Sequence, residues 1–123
     1  MKTALIALTA ALVLAAPATA AGLPAGWTHA EINVVIGRVP HTLVLDRGRV
    51  TATSAQSLTI REQDGNSVQV DVGPATQVLV DGRPGQLTDI RRGVIAVTER
   101  VDGGAARSVR VHVPPRLARL ARR

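Results

Sequence analysis

The chain contains no cysteine, no phenylalanine and no tyrosine, and Trp27 is its single aromatic residue. Without cysteine there is no disulfide framework, no thiolate nucleophile and no sulfur ligand for zinc. Without Phe or Tyr, the core has to be built from Val, Leu, Ile and Ala. Single-strand nucleic-acid binders stack bases on aromatic side chains. No aromatic lies between Thr42 and Val113, which argues against that function and against sugar binding by stacking. No serine sits in a Gly-x-Ser-x-Gly elbow, and none of the three histidines has a triad partner recognisable by spacing. The residues therefore nominate no catalytic group and imply no cofactor.

A long hydrophobic run is also missing. Ala4 to Ala16 is apolar except for Thr9, which is short of the roughly 20 residues that span a bilayer. Its setting explains it. Lys2 supplies a positive start, Pro17 ends the apolar stretch, and Ala18-Thr19-Ala20 offers the small residues of a cleavage site. This is the pattern of a secretory signal peptide over residues 1–20. No twin arginine precedes the run, which favours the general export route. No cysteine stands at the cleavage site to accept a lipid. A periplasmic, cell-envelope or secreted location is expected.

Lys2 is the only lysine, so every cation after the signal is arginine. Fourteen arginines stand against nine acids, a net charge of +5. Four of those arginines and no acid fall within Pro114–Arg123, whereas Thr42–Val113 is nearly balanced.

What remains is rich in β-branched residues and turns. Residues 21–27 read as a small-residue, flexible leader. From Thr28 to Ile36, Ala30, Ile32 and Val34 alternate with His29, Glu31 and Asn33, as on an extended strand. Gly37 and Pro40 mark a turn. Thr42–Thr53 is a long strand with Gly48 in its middle, where a bulge or bend is expected. Ser57–Gln63 and Ser67–Val72 flank the hairpin turn Asp64-Gly65-Asn66. Gly73-Pro74 is expected to break the run before a short strand, Thr76–Val80. Leu87–Ile90 reads as one helical turn or an apolar plug. Val94–Val101 and Ala106–Val113 are joined by Asp102-Gly103-Gly104, and Pro114-Pro115 ends the sheet. Short strands at regular spacing predict an all-β domain over residues 28–113: a small closed or partly open barrel, OB-like, of about six strands.

The order of these motifs resembles the bacterial "domain of unknown function 5666" family. The residues that carry the resemblance are Gly48-x-Val50, Ser57-Leu58-Thr59-Ile60, Asp64-Gly65 with Val68 and Val70, and Thr76-x-Val78. Asp81-Gly82, Leu87, Ile90, Gly93 and Ala106-x-x-Val109-x-Val111 complete the pattern. The resemblance spans about Arg47 to Val113 and implies an exported small barrel with no assigned activity and no catalytic residues. The chain departs from the pattern at Ala96 and Thr98, where the family prefers valines. It also adds the segment Gly26–Val34.

Few residues suggest a site. His29 and Glu31 lie two apart and share a strand face, and His41 or Asp46 are candidates to join them around a metal. Zinc needs three or four converging ligands, and two polar neighbours on a strand are more often a solvated face, so no metal is assigned. The Asp-Gly pairs are explained by hairpin turns, since no Asp-rich loop with a closing Glu follows any of them. Trp27 is either an apolar plug at the barrel end or an anchor for a partner. Residues 114–123 read as a basic tail. It is either a solvated end or a contact with an anionic cell-envelope polymer or lipid surface through Arg116, Arg119, Arg122 and Arg123.

The sequence thus predicts an exported, non-enzymatic, monomeric barrel module used for binding or structure, with nucleic acid not expected as a partner. The rival is a small metal-dependent or otherwise unrecognised hydrolase. Convergence of His29, Glu31, His41 and Asp46 in one pocket would favour the rival, and their scatter would count against it.

Overall fold

The computed structural model describes residues 22–113. The signal-peptide reading and the basic tail fall outside the described residues. Strand β1 (His29–Ile36) alternates between exposed and half-buried at all eight positions, as its sequence pattern requires. Gly37 and Arg38 form the turn that follows, with φ of 56° and 68°. Two positive φ values in a two-residue loop match the twist of antiparallel strands. Strand β2 (Val39–Thr53) is the longest element. After it come β3 (Ser57–Arg61), β4 (Ser67–Val80), β5 (Arg83–Pro84), a 3₁₀ turn over Leu87–Asp89, β6 (Ile95–Val101) and β7 (Ala106–His112). No helix among the described residues is long and apolar enough to cross a membrane.

The strands pair in the order β1-β2-β3-β4-β7-β6, and β6 returns to pair with β2. That last pairing closes a five-stranded barrel of β2, β3, β4, β7 and β6. Strands β1 and β5 lie outside it. The β4–β7 pairing is parallel and the others are antiparallel. A closed barrel with one parallel closure is OB-like, and closure removes the exposed strand edges of an open sheet.

Inward-facing positions supply the core: Val50, Leu58, Ile60, Val70, Val78, Ala96, Ala106, Val109 and Val111. Leu87 and Ile90, from the 3₁₀ turn, join the same cluster with Val94. The turn is held by the Gln86 N–H, which donates to the Asp89 carboxylate at 2.8 Å. The core is wholly aliphatic, as the missing aromatics dictate. Fully burying one such side chain contributes about 1.5–3 kcal/mol.

Among the described residues there are seven strands, five of them in the barrel, which agrees with the small barrel expected. Two local expectations are corrected. Gly73-Pro74 does not break the chain into two strands, because β4 runs through it. The partner changes there instead. Residues 67–71 pair with β3, whereas Val72 and then Gln77–Val80 pair with β7. The pairing skips the stretch between, so the missing N–H of Pro74 leaves no ladder bond unmade. Finally, the irregularity in β2 falls between Val50 and Ala52, two residues beyond Gly48. Gly48 has a different task. A β-carbon there would overlap the Arg61 carbonyl and approach the Glu62 nitrogen to 3.0 Å.

Candidate functional site

One edge of β2 serves two partners in succession. β1 pairs with it as far as Asp46, and β3 takes over at Arg49. Arg47 and Gly48 lie in the changeover, where the start of β1 and the end of β3 approach each other. There the Arg47 N–H donates to the Thr28 carbonyl at 2.8 Å. Glycine at 48 lets the end of β3 cross at close range. The junction opens into a cleft of about 410 Å³, lined by Trp27, Arg47, Gly48, Arg49, Arg61 and Glu62 among others.

The floor of the junction is polar and buried. Asp46 continues the inward-facing series of Val44 and Val50 on β2, and its exposure is 0%. Glu62 continues the inward series Leu58, Ile60 just past the end of β3, and is 5% exposed. His29 stands over them from β1, directly opposite Asp46 in register. Its Nδ1 donates to Asp46 Oδ1 at 2.6 Å, and its Nε2 donates to Glu31 Oε2 at 3.2 Å. Arg100 on β6 donates from Nη2 to Asp46 Oδ2 at 2.9 Å. One ligand-capable atom from each of His29, Asp46 and Glu62 falls within 4.8 Å of the others. Each comes from a different strand neighbourhood, so only the folded barrel assembles the group.

Charge is shared unevenly in this cluster. Burial pushes the Asp46 carboxyl up, but hydrogen bonds from His29, Glu62 and Arg100 outweigh it and hold the group below its ordinary value. Hydrogen bonds to Asp46 and then Glu31 raise His29, against a smaller effect of burial. Glu62 goes the other way. Burial, then its hydrogen bond to Asp46 and the nearby charges of Asp46 and Asp64, push it up to about 7. Two carboxyl groups at close quarters do not both ionise readily, so Asp46 carries the charge and Glu62 keeps its proton near neutrality. Glu62 Oε2 is buried without a hydrogen-bond partner among the described residues, as is Thr98 Oγ1. Thr98 lies directly across from Asp46 on β6.

The sequence candidates divide. His29, Glu31 and Asp46 come together. His41 does not join them. It lies five positions along β2 from Asp46, about 17 Å by strand rise, and its Nδ1 bonds Asp102 Oδ2 at 2.7 Å. Trp27 is half-buried in the wall of the junction cleft. Arg116, Arg119, Arg122 and Arg123 lie outside the described residues. Glu62 and Arg100 escaped the reading of the sequence. For Glu62 a signal existed, since it prolongs the two-residue alternation of Leu58 and Ile60 into an inward position. Arg100 had none, because the β2–β6 closure that brings it to Asp46 spans 54 residues.

The other wall of the cleft is cationic. Arg49 and Arg61 are directly opposed across β2 and β3, with Arg47 two residues away. None of the three makes an ion pair with a carboxylate among the described residues. Arg49 Nη1 donates to the Gly93 carbonyl at 2.9 Å. Comparison with family models, curated proteins and solved structures returned no match to this chain.

Proposed function

We propose that the protein is an exported, non-enzymatic binding module that holds an anionic segment of a cell-envelope polymer in the cleft between β1 and β3. The observation that carries this reading is the direct opposition of Arg49 and Arg61. Like charges in a cross-strand pair are destabilising, and no acid offsets them here. Glu62, the one acid in the cleft lining, keeps its proton until about pH 7. A carboxylate or phosphate between the two guanidinium groups converts repulsion into charge-assisted hydrogen bonds. A recess of about 410 Å³ suits one or two units of a polymer better than a flat lipid surface. The export signal read in residues 1–20 places such a polymer within reach.

Calorimetric titration with a uronic-acid polymer and with neutral dextran tests this. Saturable binding of the acidic polymer alone is expected. The double variant Arg49→Gln/Arg61→Gln should weaken it at least about tenfold, since hydrogen bonds to charged groups contribute about 1.5–3 kcal/mol each. The same variant should change the melting temperature little, because the repulsion removed offsets the loss of the Arg49 hydrogen bond to the Gly93 carbonyl. Binding that survives the double variant would refute the reading.

The rival reading, a small metal-dependent hydrolase, has one observation in its favour: the gathering of His29, Asp46 and Glu62. Turnover of model esters or phosphoesters in the presence of zinc or manganese, abolished by Glu62→Gln, would establish it over the binding module.

A further inference from the structure

We propose that His29, Asp46 and Glu62 form a divalent-cation site of the zinc or manganese type, clamping β1 to the barrel where β1, β2 and β3 meet. The inference does not rest on the anionic ligand proposed above, since it uses a different set of atoms.

The donor set is one imidazole and two carboxylates. Imidazole suits zinc and the later transition ions, and carboxylate oxygen suits manganese and magnesium. The three donor atoms lie within 4.8 Å of one another. Zinc takes nitrogen and oxygen ligands at about 2.0–2.2 Å, so a movement of under about 1 Å per donor closes them on an ion. Three protein donors leave the remaining coordination position to water.

The surrounding groups carry the argument further than the cluster alone. Metal-bound histidine characteristically donates its second ring N–H to a carboxylate, and metal-bound carboxylates are themselves hydrogen-bonded. Both features are in place. With His29 Nδ1 facing Asp46, its Nε2 is held by Glu31 at 3.2 Å. Asp46 presents Oδ1 to the cluster while Arg100 holds Oδ2 at 2.9 Å. Glu62 supplies the independent sign of a missing ligand. It is 95% buried, and its Oε2 has no hydrogen-bond partner among the described residues. A buried carboxyl oxygen left unpaired is costly, and a cation that displaces the Glu62 proton removes that cost. The other histidine–carboxylate pairs, His41–Asp102 and His112–Asp81, bring only two donors each.

The test is calorimetric titration of zinc and, separately, manganese into the whole protein, purified without a histidine tag and treated with a chelator. One saturable site per chain is expected for at least one of the ions, together with a higher melting temperature. Glu62→Gln and His29→Ala should each weaken binding at least about tenfold, and Glu31→Gln about tenfold through loss of orientation. The double variant His41→Ala/His112→Ala should bind as the native protein does. Glu31 is exposed, so its variant gives a readout even where a buried substitution disturbs folding. The proposal is overturned by the absence of a saturable site for either ion. It is equally overturned if the Glu31 and His29 variants keep native affinity, or if the His41/His112 variant loses it.

Discussion

At the scale of single residues, Glu62 makes the stability of the metal-free protein depend on pH. Its carboxyl titrates near 4.5 in the unfolded chain and at about 7 when folded. Below pH 4.5 both states hold the proton, and the group contributes no pH dependence. Between 4.5 and 7 the unfolded chain releases a proton that the folded chain retains, so rising pH favours unfolding. Each unit of difference corresponds to about 1.4 kcal/mol. His29, raised as well, loses its stabilising contribution only as pH climbs past 6.5 and through its folded value. Burial raises Glu99 as well, so it adds a slope of the same sign, and the comparison between pH 4.5 and 6 has to be made against a Glu62 variant. There the melting temperature of the native protein should fall as pH rises, and that of Glu62→Gln should stay flatter. Parallel slopes would show that Glu62 is ionised in the folded state. Gly48 is the second residue with a sharp consequence. Gly48→Ala puts a methyl group against the Arg61 carbonyl, and overpacking of this kind costs on the order of 1–3 kcal/mol. A thermal melt unchanged by the substitution would mean that β3 can back away.

At the scale of elements, the strands were legible in the sequence and their partners were not. Alternation at Ala30, Ile32 and Val34, and at Val68 and Val70, reports a strand because side chains change face at every residue. The turn chemistry of Asp-Gly is equally local. Gly73-Pro74 misled for a physical reason. Both residues are poor in a paired strand, but this stretch of β4 is unpaired while it passes from β3 to β7. Pro40 misled similarly, since it sits inside β2, paired with Val35 on β1. The real turn is Gly37–Arg38, and it holds an avoidable strain. Arg38 has a φ of 68°, a region that costs a residue with a β-carbon roughly 1–2 kcal/mol. Arg38→Gly should therefore raise the melting temperature of the β1–β2 hairpin and of the whole domain. Because Arg38 lies at the far end of β1 from His29, the same variant should leave metal and polymer binding as they are. A lower melting temperature would show that the arginine side chain offsets the strain through contacts of its own.

At the scale of the whole molecule, the site exists only because the barrel closes. The sequence carries His29, Asp46, Glu62 and Arg100 at separations that no local pattern links. The β2–β6 pairing and the β1–β3 changeover bring them together, and both depend on contacts distant along the chain. The basic run at residues 114–123 was legible in the sequence, whereas the opposition of Arg49 and Arg61 needed the β2–β3 register. Two groups of arginines matter here: Arg47, Arg49 and Arg61 around the cleft, and the four of residues 114–123. Removing Pro114–Arg123 takes the chain after residue 20 from a net +5 to +1. Each exposed cation contributes roughly 1 kcal/mol near an anionic surface, and salt screens that attraction within about 10 Å at 0.1 M. Arg49 and Arg61 are exposed but line one cleft, and charge-assisted hydrogen bonds to a single anionic group are lost to salt less readily than diffuse attraction is. The two groups should then separate by salt. The truncated chain should bind an acidic polymer more weakly than the full chain at low salt, and equally well at moderate salt. Arg49→Gln/Arg61→Gln in the full chain should show the reverse, with residual binding at low salt that disappears at moderate salt. The last barrel strand is complete at His112, and the Val113 N–H is held by Asp81 at 3.0 Å, so truncation should leave the melting temperature unchanged. If truncation abolishes binding at both salt concentrations, the basic tail is the binding element. The opposed arginines would then be only a tolerated repulsion.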